Sequence, residues 1–355
     1  MTSKLSSIAA FVAHALVRAA SRLVSTPALA AGLLLAAALG QAAQYTAQKV
    51  TVDGADVVRL TDTTRGIVVS ILPGSGNRAY ELTVHGKQVL AKPGGIPLLA
   101  PWANRLDQNA FWANGKKYLL NPGLETVHYD NNHLPIHGLL DKAVWTVTSL
   151  KADGHGAVAT AQLEFWRHPD WMSQFPFAHT LTMTHRLRDG VLSIETRIEN
   201  LSDDPMPVSI GFHPWFQLSD VPRDEWKLHL AAREHLELSQ NKIPTGKSEP
   251  MKFPDPLSLK GVHLDDVFGG LIRDTSGEAS FSVAGNGEKV TVVLGPKYQN
   301  AVVYAPPNRD IVCLEPMSGP TNAFNMAHDG TYSSLQSITP RGEWRETFRI
   351  KAEGF

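Results

Sequence analysis

The chain is nearly devoid of cysteine, since Cys313 is the only one among its 355 residues. A single cysteine excludes a disulfide within the chain and a zinc site built from several thiolates. Positive and negative charges are also nearly balanced, with 33 basic and 34 acidic residues and a formal net charge of −1. Because a nucleic-acid-binding protein normally carries a basic face, this composition predicts no nucleic-acid partner.

Several common sequence patterns are also missing. The chain has no Gly-x-Ser-x-Gly nucleophile motif, no Walker-type motif and no Gly-x-Gly-x-x-Gly dinucleotide motif. Phosphate chemistry and hydride transfer therefore have no support in the sequence. Long helical periodicity is almost absent after residue 44, and no repeat typical of a propeller or a solenoid is visible;.

The N-terminal region has the order of a secretory signal. Lys4, Arg18 and Arg22 precede an apolar stretch from residue 28 to 39, and small residues follow it;. The apolar stretch is short for a bilayer, which takes about 20 residues. We expect residues 1–43 to be a signal peptide cleaved near Ala42 or Ala43, and the protein to be periplasmic or secreted without stable membrane insertion. The alternative is an uncleaved N-terminal helix that anchors it to the membrane.

Short strands with clear turns dominate the rest of the chain. From His179 onward, alternating apolar and polar residues run to Asp189-Gly190, a two-residue turn, and the alternation then resumes. A second hairpin is indicated by Asn114-Gly115;. These signals predict an all-β protein, a large antiparallel β-sandwich that forms one domain over residues 44–355. The proline-rich segment 243–259 is predicted to be a long ordered loop.

Three histidines, His128, His133 and His137, lie within ten residues of each other. Pro135 interrupts them, so no single helix presents all three, and no carboxylate stands at the proper spacing, although Asp130 is near. We therefore predict no metal site here. In the preferred interpretation, His137 and Gly138 lie where the backbone closely approaches a ligand.

His213 stands in an apolar and aromatic stretch, "SIGFHPWF". If the preceding residues form a strand, the small residues Ser209 and Gly211 share its face and leave open space before the imidazole. That pattern is typical of a pocket floor. The alternative is a core histidine that is bonded to a backbone carbonyl.

Charged residues in three further segments are candidates for a site. Arg105, beside Asn104, presents a fork of donors for an oxygen-rich ligand, or it closes a surface turn. Only one carboxylate of the pair Asp265-Asp266 is expected to reach a site, because neighbours on a strand point to opposite faces. Glu315 ends an apolar run, where burial would raise its pKa and make it a general base. An exposed residue at a strand end is the ordinary alternative.

Taken together, the motifs resemble the aldose 1-epimerase (galactose mutarotase) family. They occur in the family's order over roughly residue 57 to the C-terminus, and they read "GGIPLLAPWANR", "IHG", "VSIGFHPWF", "LDDVF" and "EPMSGPTNAFN". The resemblance implies the large β-sandwich of that family, with no metal or organic cofactor.

The resemblance also implies roles for individual residues. The catalytic set is Glu315, His213 and His137, with the glutamate as base and His213 as proton donor. The substrate-binding set is Arg105, Asp265 and Asn104, with Asp266 as a second choice for the aspartate. The implied reaction interconverts the α- and β-anomers of a free hexose such as glucose or galactose.

The implied reaction needs only an acid and a base. A base removes the proton of the C1 hydroxyl while an acid protonates the ring oxygen, and the opened sugar then recloses on its other face. The expected partner is thus a small free aldose, and no oligomeric state is predicted. Three other readings stay open: a non-catalytic carbohydrate-binding protein of the cell envelope, a sugar-phosphate mutarotase of the same fold, and a β-sandwich polysaccharide lyase.

Overall fold

The structure is a computed structural model that describes residues 43–355. Residues 1–42, and with them the predicted signal peptide, lie outside the described residues. Gln44–Phe355 form one compact unit. No helix within residues 43–355 has both the length and the apolar character needed to cross a membrane.

Strands make up most of the described chain. In chain order they are β1 (Tyr45–Val52), β2 (Ala55–Asp62), β3 (Ile67–Leu72), β4 (Arg78–Val84), β5 (Lys87–Gln88), β6 (Leu98–Leu99), β7 (Ala110–Ala113), β8 (Lys116–Leu119), β9 (His128–Tyr129), β10 (Pro135–Ile136), β11 (Thr146–Asp153), β12 (Gly156–Glu164), β13 (His179–Arg188) and β14 (Val191–Asn200). They continue as β15 (Met206–Val208), β16 (Gly211–Phe212), β17 (Trp215–Phe216), β18 (Lys227–His229), β19 (Ala232–Leu238), β20 (Pro244–Pro250), β21 (Leu257–Ser258), β22 (Leu264–Leu271), β23 (Ala279–Ala284), β24 (Lys289–Leu294), β25 (Asn300–Ala305), β26 (Val312–Met317), β27 (Gln336–Ile338) and β28 (Glu343–Glu353). The helices are short: α1 (Pro169–Gln174), α2 (Ala323–His328), and the 3-10 turns Pro122–Leu124, Phe165–Arg167 and Arg223–Glu225.

Two large sheets and a smaller one organise these strands. The nine-stranded sheet has the order β11-β12-β13-β14-β28-β24-β23-β18-β21. The eight-stranded sheet has the order β20-β19-β22-β25-β26-β16-β6, with β17 also paired to β26, and β1 to β5 form a five-stranded sheet. Neighbouring strands in all three sheets run antiparallel. The predicted all-β antiparallel fold is confirmed.

Local sequence explains the two predicted hairpins, and the structure confirms both. β13 and β14 pair from end to end around Asp189 and Gly190, which have φ values of 51° and 80°. Two consecutive positive φ angles define the tight turn whose twist matches the strands. Asn114 and Gly115 repeat this geometry between β7 and β8.

A continuous apolar core lies between the two large sheets. Phe212 of the eight-stranded sheet and Phe348 of the nine-stranded sheet are fully buried, and their ring centroids lie 4.6 Å apart. Contact between aromatic side chains of the two sheets is the packing expected of a sandwich. This core fixes the eight-stranded sheet, whose opposite face carries the site described below.

The predicted loop over residues 243–259 is wrong. This segment contains β20, which pairs with β19, and the short strand β21. Pro244 and Pro250 occupy the first and last positions of β20, and β20 lies at an edge of its sheet. Proline is compatible with an edge strand, because the missing N–H can face solvent.

The core contact between the sheets can be tested by deleting a ring. We expect Phe348→Ala to lower the free energy of unfolding by about 3–5 kcal/mol, since it removes a buried aromatic side chain. Leu119→Ala, at a residue that is 72% exposed, is the control and should change it by less than about 0.5 kcal/mol;. Urea unfolding of both variants measures the effect, and equal losses would contradict this account of the core.

Candidate active site

A cavity of about 250 Å³ opens on the face of the eight-stranded sheet that lies opposite the aromatic core. All six residues predicted for the site border it, together with Ile136, Trp215 and Tyr304, so that the wall consists of Asn104, Arg105, Ile136, His137, His213, Trp215, Asp265, Tyr304 and Glu315. The structure thus brings into one place residues that are more than two hundred positions apart in the chain. We call this space the inner cavity.

Strand register places the acidic wall of the inner cavity. In β22, β25 and β26, Asp265 lies opposite Tyr304 and Val302 lies opposite Glu315. Side chains two residues apart on a strand share a face, so Asp265, Tyr304 and Glu315 all point the same way. The intervening residues of these strands pack into the core.

Glu315 is buried and incompletely bonded. Its side chain is 1% exposed, and its Oε2 atom has no hydrogen-bond partner. Burial, with a further contribution from the Asp265 charge, raises the pKa of Glu315 well above its usual value, while Arg105 acts in the opposite direction;. A carboxyl group with a raised pKa inside a cavity is a candidate for acid–base chemistry.

His213 is the nearest titratable partner of Glu315. Its Nε2 atom lies 3.4 Å from Oε1 of Glu315, and its ring stacks on Trp215 at a centroid distance of 5.0 Å. Burial lowers the pKa of His213 to about 4, and the charge of Arg105 adds to this effect;. The residue's own backbone opposes this shift without reversing it, so the imidazole borders the cavity in its neutral form.

His213 borders open space, as predicted, but the predicted reason for that space is wrong. Residues 208–213 do not form one strand, because β15 and β16 belong to different sheets. Between them, the Ile210 N–H donates to the Ser318 hydroxyl, and the Ile210 carbonyl accepts from the backbone N–H and the hydroxyl of Ser318. A methyl group at Gly211 would collide with the Met317 sulfur atom. Gly211 therefore lets β26 approach closely and does not line a pocket.

His137 approaches His213 edge-on, with ring centroids 5.4 Å apart. Its φ of +64° is unusual for a histidine, and its backbone N–H donates to the Asn104 carbonyl, which fixes this conformation;. The next residue, Gly138, packs against the Ala100 carbonyl and has no room for a side chain. The prediction that a ligand packs against Gly138 is therefore wrong, because the backbone of Ala100 occupies that space.

Arg105 is held by two carboxylates. Its Nε atom donates to Oδ2 of Asp130 at 2.7 Å, and its Nη2 atom lies 3.7 Å from Oδ2 of Asp265. The other oxygen of Asp130 accepts backbone N–H groups from Asn132 and Leu134. Although burial opposes it, these bonds keep the pKa of Asp130 below its usual value. Asp130 therefore fixes the guanidinium with its outer nitrogen atoms toward the inner cavity.

From the sequence, Asp130 was identified only as a carboxylate near the histidines, and Tyr304 was not identified as a site residue. The signal for Asp130 is local, because an aspartate that accepts N–H groups two and four residues ahead marks a turn. Its link to Arg105, 25 positions away, has no local signal.

The two neighbouring aspartates point in different directions. Asp265 borders the inner cavity, whereas Asp266 accepts a hydrogen bond from Nε2 of His235 at 2.9 Å on the opposite face. Among the tryptophans Trp102, Trp171 and Trp215, whose rings could stack on a sugar, Trp102 is fully buried and Trp171 packs against the core. Only Trp215 of these three lines the inner cavity.

The residues that come closest to a metal-binding group are His213, Cys313 and Glu315, whose candidate ligand atoms lie within 4.8 Å of one another. Burial raises the pKa of the Cys313 thiol well above its usual value. Because a metal binds the thiolate, this environment opposes metal ligation by Cys313.

Comparisons with known proteins agree with this geometry. A family model described as aldose 1-epimerase matches residues 49–351. The uncharacterized protein YihR of Escherichia coli (strain K12) is 24% identical over 268 residues, which cover 70% of this chain and 80% of that protein.

Solved structures share the fold. A galactose mutarotase-like protein from Clostridium acetobutylicum has a TM-score of 0.79 at 19% identity, covering 88% of this chain and 99% of that one. Galactose 1-epimerase from Lactobacillus acidophilus NCFM has a TM-score of 0.67 at 16% identity, covering 88% and 100%. The resemblance inferred from the motifs is confirmed, and the chain belongs to the aldose 1-epimerase family.

Proposed function

We propose that this protein is a mutarotase that interconverts the α- and β-anomers of a free hexose such as glucose or galactose. The observation that carries the proposal is the pair Glu315 and His213, whose side chains lie 3.4 Å apart on the wall of a cavity, with Glu315 buried and its Oε2 atom unpartnered. Ring opening of a hemiacetal requires one group that gives a proton and one that takes it. This pair offers both.

In the proposed reaction, the carboxylate of Glu315 takes the proton of the C1 hydroxyl. Protonated His213 gives its proton to the ring oxygen, the C1–O5 bond breaks, and an open-chain aldehyde forms. Rotation about the C1–C2 bond presents the other face of the carbonyl to the C5 hydroxyl. In reclosure the C5 hydroxyl gives its proton to His213 while Glu315 returns a proton to the C1 oxygen, so that the enzyme ends as it began.

The protonation state of the resting pair follows from burial. The raised pKa of Glu315 and the lowered pKa of His213 favour a protonated carboxyl group beside a neutral imidazole. Movement of that one proton from Glu315 to His213 gives the carboxylate and imidazolium that the reaction uses. The productive state is therefore the pair with a single proton, whichever residue holds it.

The other residues of the inner cavity bind and orient the sugar in this proposal. Arg105, Asp265 and Asn104 hold hydroxyl groups, and the guanidinium and carboxylate offer donors and acceptors to neighbouring hydroxyls. The ring of His137 borders the inner cavity next to His213, where it would contact the ring oxygen.

We also propose that the protein acts outside the cytoplasm. The proposal rests on the order of basic, apolar and small residues in positions 1–43;. The substrate would then be an extracellular sugar, such as one released from a polysaccharide.

Removal of the carboxylate tests the proposal most directly. We expect Glu315→Gln to lower kcat for anomer interconversion by at least about 100-fold, because the amide cannot accept the C1 proton. Folding should be preserved: the fold disfavours ionised Glu315, so a neutral amide costs no stability at neutral pH;. Polarimetry of freshly dissolved α-D-glucose and α-D-galactose measures the rate. Glu353→Gln, at the exposed end of β28, is the control. The proposed function would be refuted if the wild-type protein accelerated anomer interconversion of no aldose.

The shared proton predicts a pH profile. As pH falls through about 4, His213 becomes protonated while Glu315 stays protonated, and the pair loses its base. As pH rises through the raised pKa of Glu315, the pair loses its proton donor. Activity should thus decline on both sides of a plateau, after subtraction of the spontaneous rate.

A variant of Asp265 separates the two limbs of that profile. Because the charge of Asp265 helps to raise the pKa of Glu315, Asp265→Asn should move the alkaline limb of kcat/KM to lower pH and leave the acid limb near 4. Asp266→Asn, on the opposite face of the same strand, is the matched control and should move neither limb. An alkaline limb that stays in place or moves upward in Asp265→Asn contradicts this account.

Asp130 is expected to act through Arg105. In Asp130→Asn the remaining amide oxygen can still accept the N–H groups of Asn132 and Leu134, but the bond to the guanidinium is lost. We expect KM to rise about 10-fold or more with kcat nearly unchanged, since a charge-assisted bond contributes about 1.5–3 kcal/mol. Steady-state kinetics measure the split. A fall in kcat with constant KM would show that Asp130 does not act by positioning a binding residue.

A further inference from the structure

A separate cavity of about 340 Å³ lies on the same face of the eight-stranded sheet as the inner cavity;. Its floor includes Gly269 of β22 and Asn300 of β25. Val267 and Val302, which belong to a small buried apolar cluster, lie on these two strands between that floor and the inner cavity. The two cavities have no wall residue in common, and we call the second one the distal cavity.

One corner of the distal cavity presents hydrogen-bond acceptors. Glu234 of β19 lies opposite Gly269 in the sheet. A methyl group at Gly269 would lie 3.6 Å from Oε2 of Glu234 and 3.4 Å from Nδ2 of Asn300, so the absent side chain leaves a space between the carboxylate and the amide. Since Nδ2 of Asn300 donates to the Phe268 carbonyl at 3.3 Å, its Oδ1 atom is left to accept.

The wall of the distal cavity also presents donors. Lys247 borders the cavity, and its backbone is held by Gly246, which has a φ of +86° and packs against the Thr331 side chain. Oε1 of Gln299 accepts from the Tyr332 hydroxyl at 2.6 Å, and burial raises the pKa of Tyr332 to about 12, so the hydroxyl keeps its proton. The Nε2 atom of Gln299 is thus left to donate beside the Lys247 ammonium group.

The two charged residues of this wall have opposite signs and no protein partner. Within residues 43–355, the side chains of Glu234 and Lys247 form no ion pair and no hydrogen bond, although both border the distal cavity. A neutral ligand would displace water from both charges without replacing either hydration shell, and a ligand with a single charge would compensate only one of them. A ligand that carries one charge of each sign compensates both.

We propose that the distal cavity binds a free α-amino acid with an aliphatic side chain. Its ammonium group donates to the Glu234 carboxylate and to Oδ1 of Asn300, in the space that Gly269 leaves open. Its carboxylate accepts from the Lys247 ammonium group and from Nε2 of Gln299. Each charged group of the ligand thus gains a charge-assisted hydrogen bond and a second bond to an amide.

The remaining wall of the distal cavity fits the aliphatic part of such a ligand. Leu236, Pro320 and Met326 border the cavity, and the last two are buried. The cavity volume of about 340 Å³ falls within the roughly 300–1,000 Å³ usual for small-molecule sites;. Because the distal cavity is separate from Glu315 and His213, binding there does not depend on the proposed mutarotase reaction.

Calorimetry of the wild-type protein with L-leucine tests the proposal. Isopentylamine and isocaproate are the matched probes, since each keeps the aliphatic chain of leucine but lacks the carboxylate or the ammonium group respectively. We expect leucine to bind with a Kd below about 1 mM and each probe to bind at least about 10-fold more weakly, because it leaves one protein charge unpaired. Absence of leucine binding, or a probe that binds as tightly as leucine, would overturn the proposal.

Two variants assign the binding to the distal cavity. Gly269→Ala fills the corner and keeps both charges, and the nearest atom to the new methyl group is the flexible Leu236 Cδ1 at 3.1 Å, so the fold should be retained. Glu234→Gln keeps the shape and removes the negative charge. Both should weaken leucine binding by at least about 10-fold, since each removes the place of the ammonium group.

Glu237→Gln is the matched control, because Glu237 is exposed on the same strand and lies outside the distal cavity. It should leave the leucine affinity within about twofold of that of the wild type. Thermal unfolding checks that Gly269→Ala is folded, and Glu234→Gln decides the matter if it is not. Leucine affinity that is unchanged in Glu234→Gln, or lowered equally in Glu237→Gln, would overturn the assignment.

Discussion

The register of β22, β25 and β26 is the constraint on which the site depends. Alternate residues of these strands point to opposite faces, so one face carries the aromatic core and the other carries Asp265, Tyr304 and Glu315. A shift of one residue would turn Glu315 into the core and expose apolar side chains. Because core burial on one face specifies the register strongly, it also fixes the carboxylates on the other face.

The remaining wall of the inner cavity depends on unusual backbone rather than on strands. Asn104 and His137 both have positive φ values and are joined by a hydrogen bond from the His137 N–H to the Asn104 carbonyl. A residue other than glycine in this conformation costs on the order of 1 kcal/mol or more, so the surrounding structure must hold it there. The strain is located where two segments bring Arg105 and His137 against the sheet. Regular strands thus carry the proposed base, and loops with unusual backbone carry the groups that are proposed to orient the sugar.

Sequence was informative wherever a local pattern determines the structure. Alternating residues and Asp189-Gly190 or Asn114-Gly115 turns predicted the hairpins, because turn and strand preferences act over a few residues. Prediction from local patterns failed where a contact between residues far apart in the chain determines the structure. Gly211 was predicted to line a pocket, because the sequence does not show that Met317 packs against it. Gly138 was predicted to contact a ligand, because the sequence does not show that the backbone of Ala100 packs there. The role of Asp130 toward Arg105 was missed for the same reason.

Burial links the fold to the proposed chemistry. It raises the pKa of Glu315 and lowers the pKa of His213, so it moves both residues away from the charged forms that they would hold near neutral pH in water;. Their proximity compensates when a proton moves between them, since opposite charges near 4 Å apart attract by on the order of 4 kcal/mol at the effective dielectric near a protein surface. A sugar that displaces water from the inner cavity strengthens this attraction. Displacement of water also removes hydration from both charges, so the hydrogen bonds of the bound sugar must compensate for that loss.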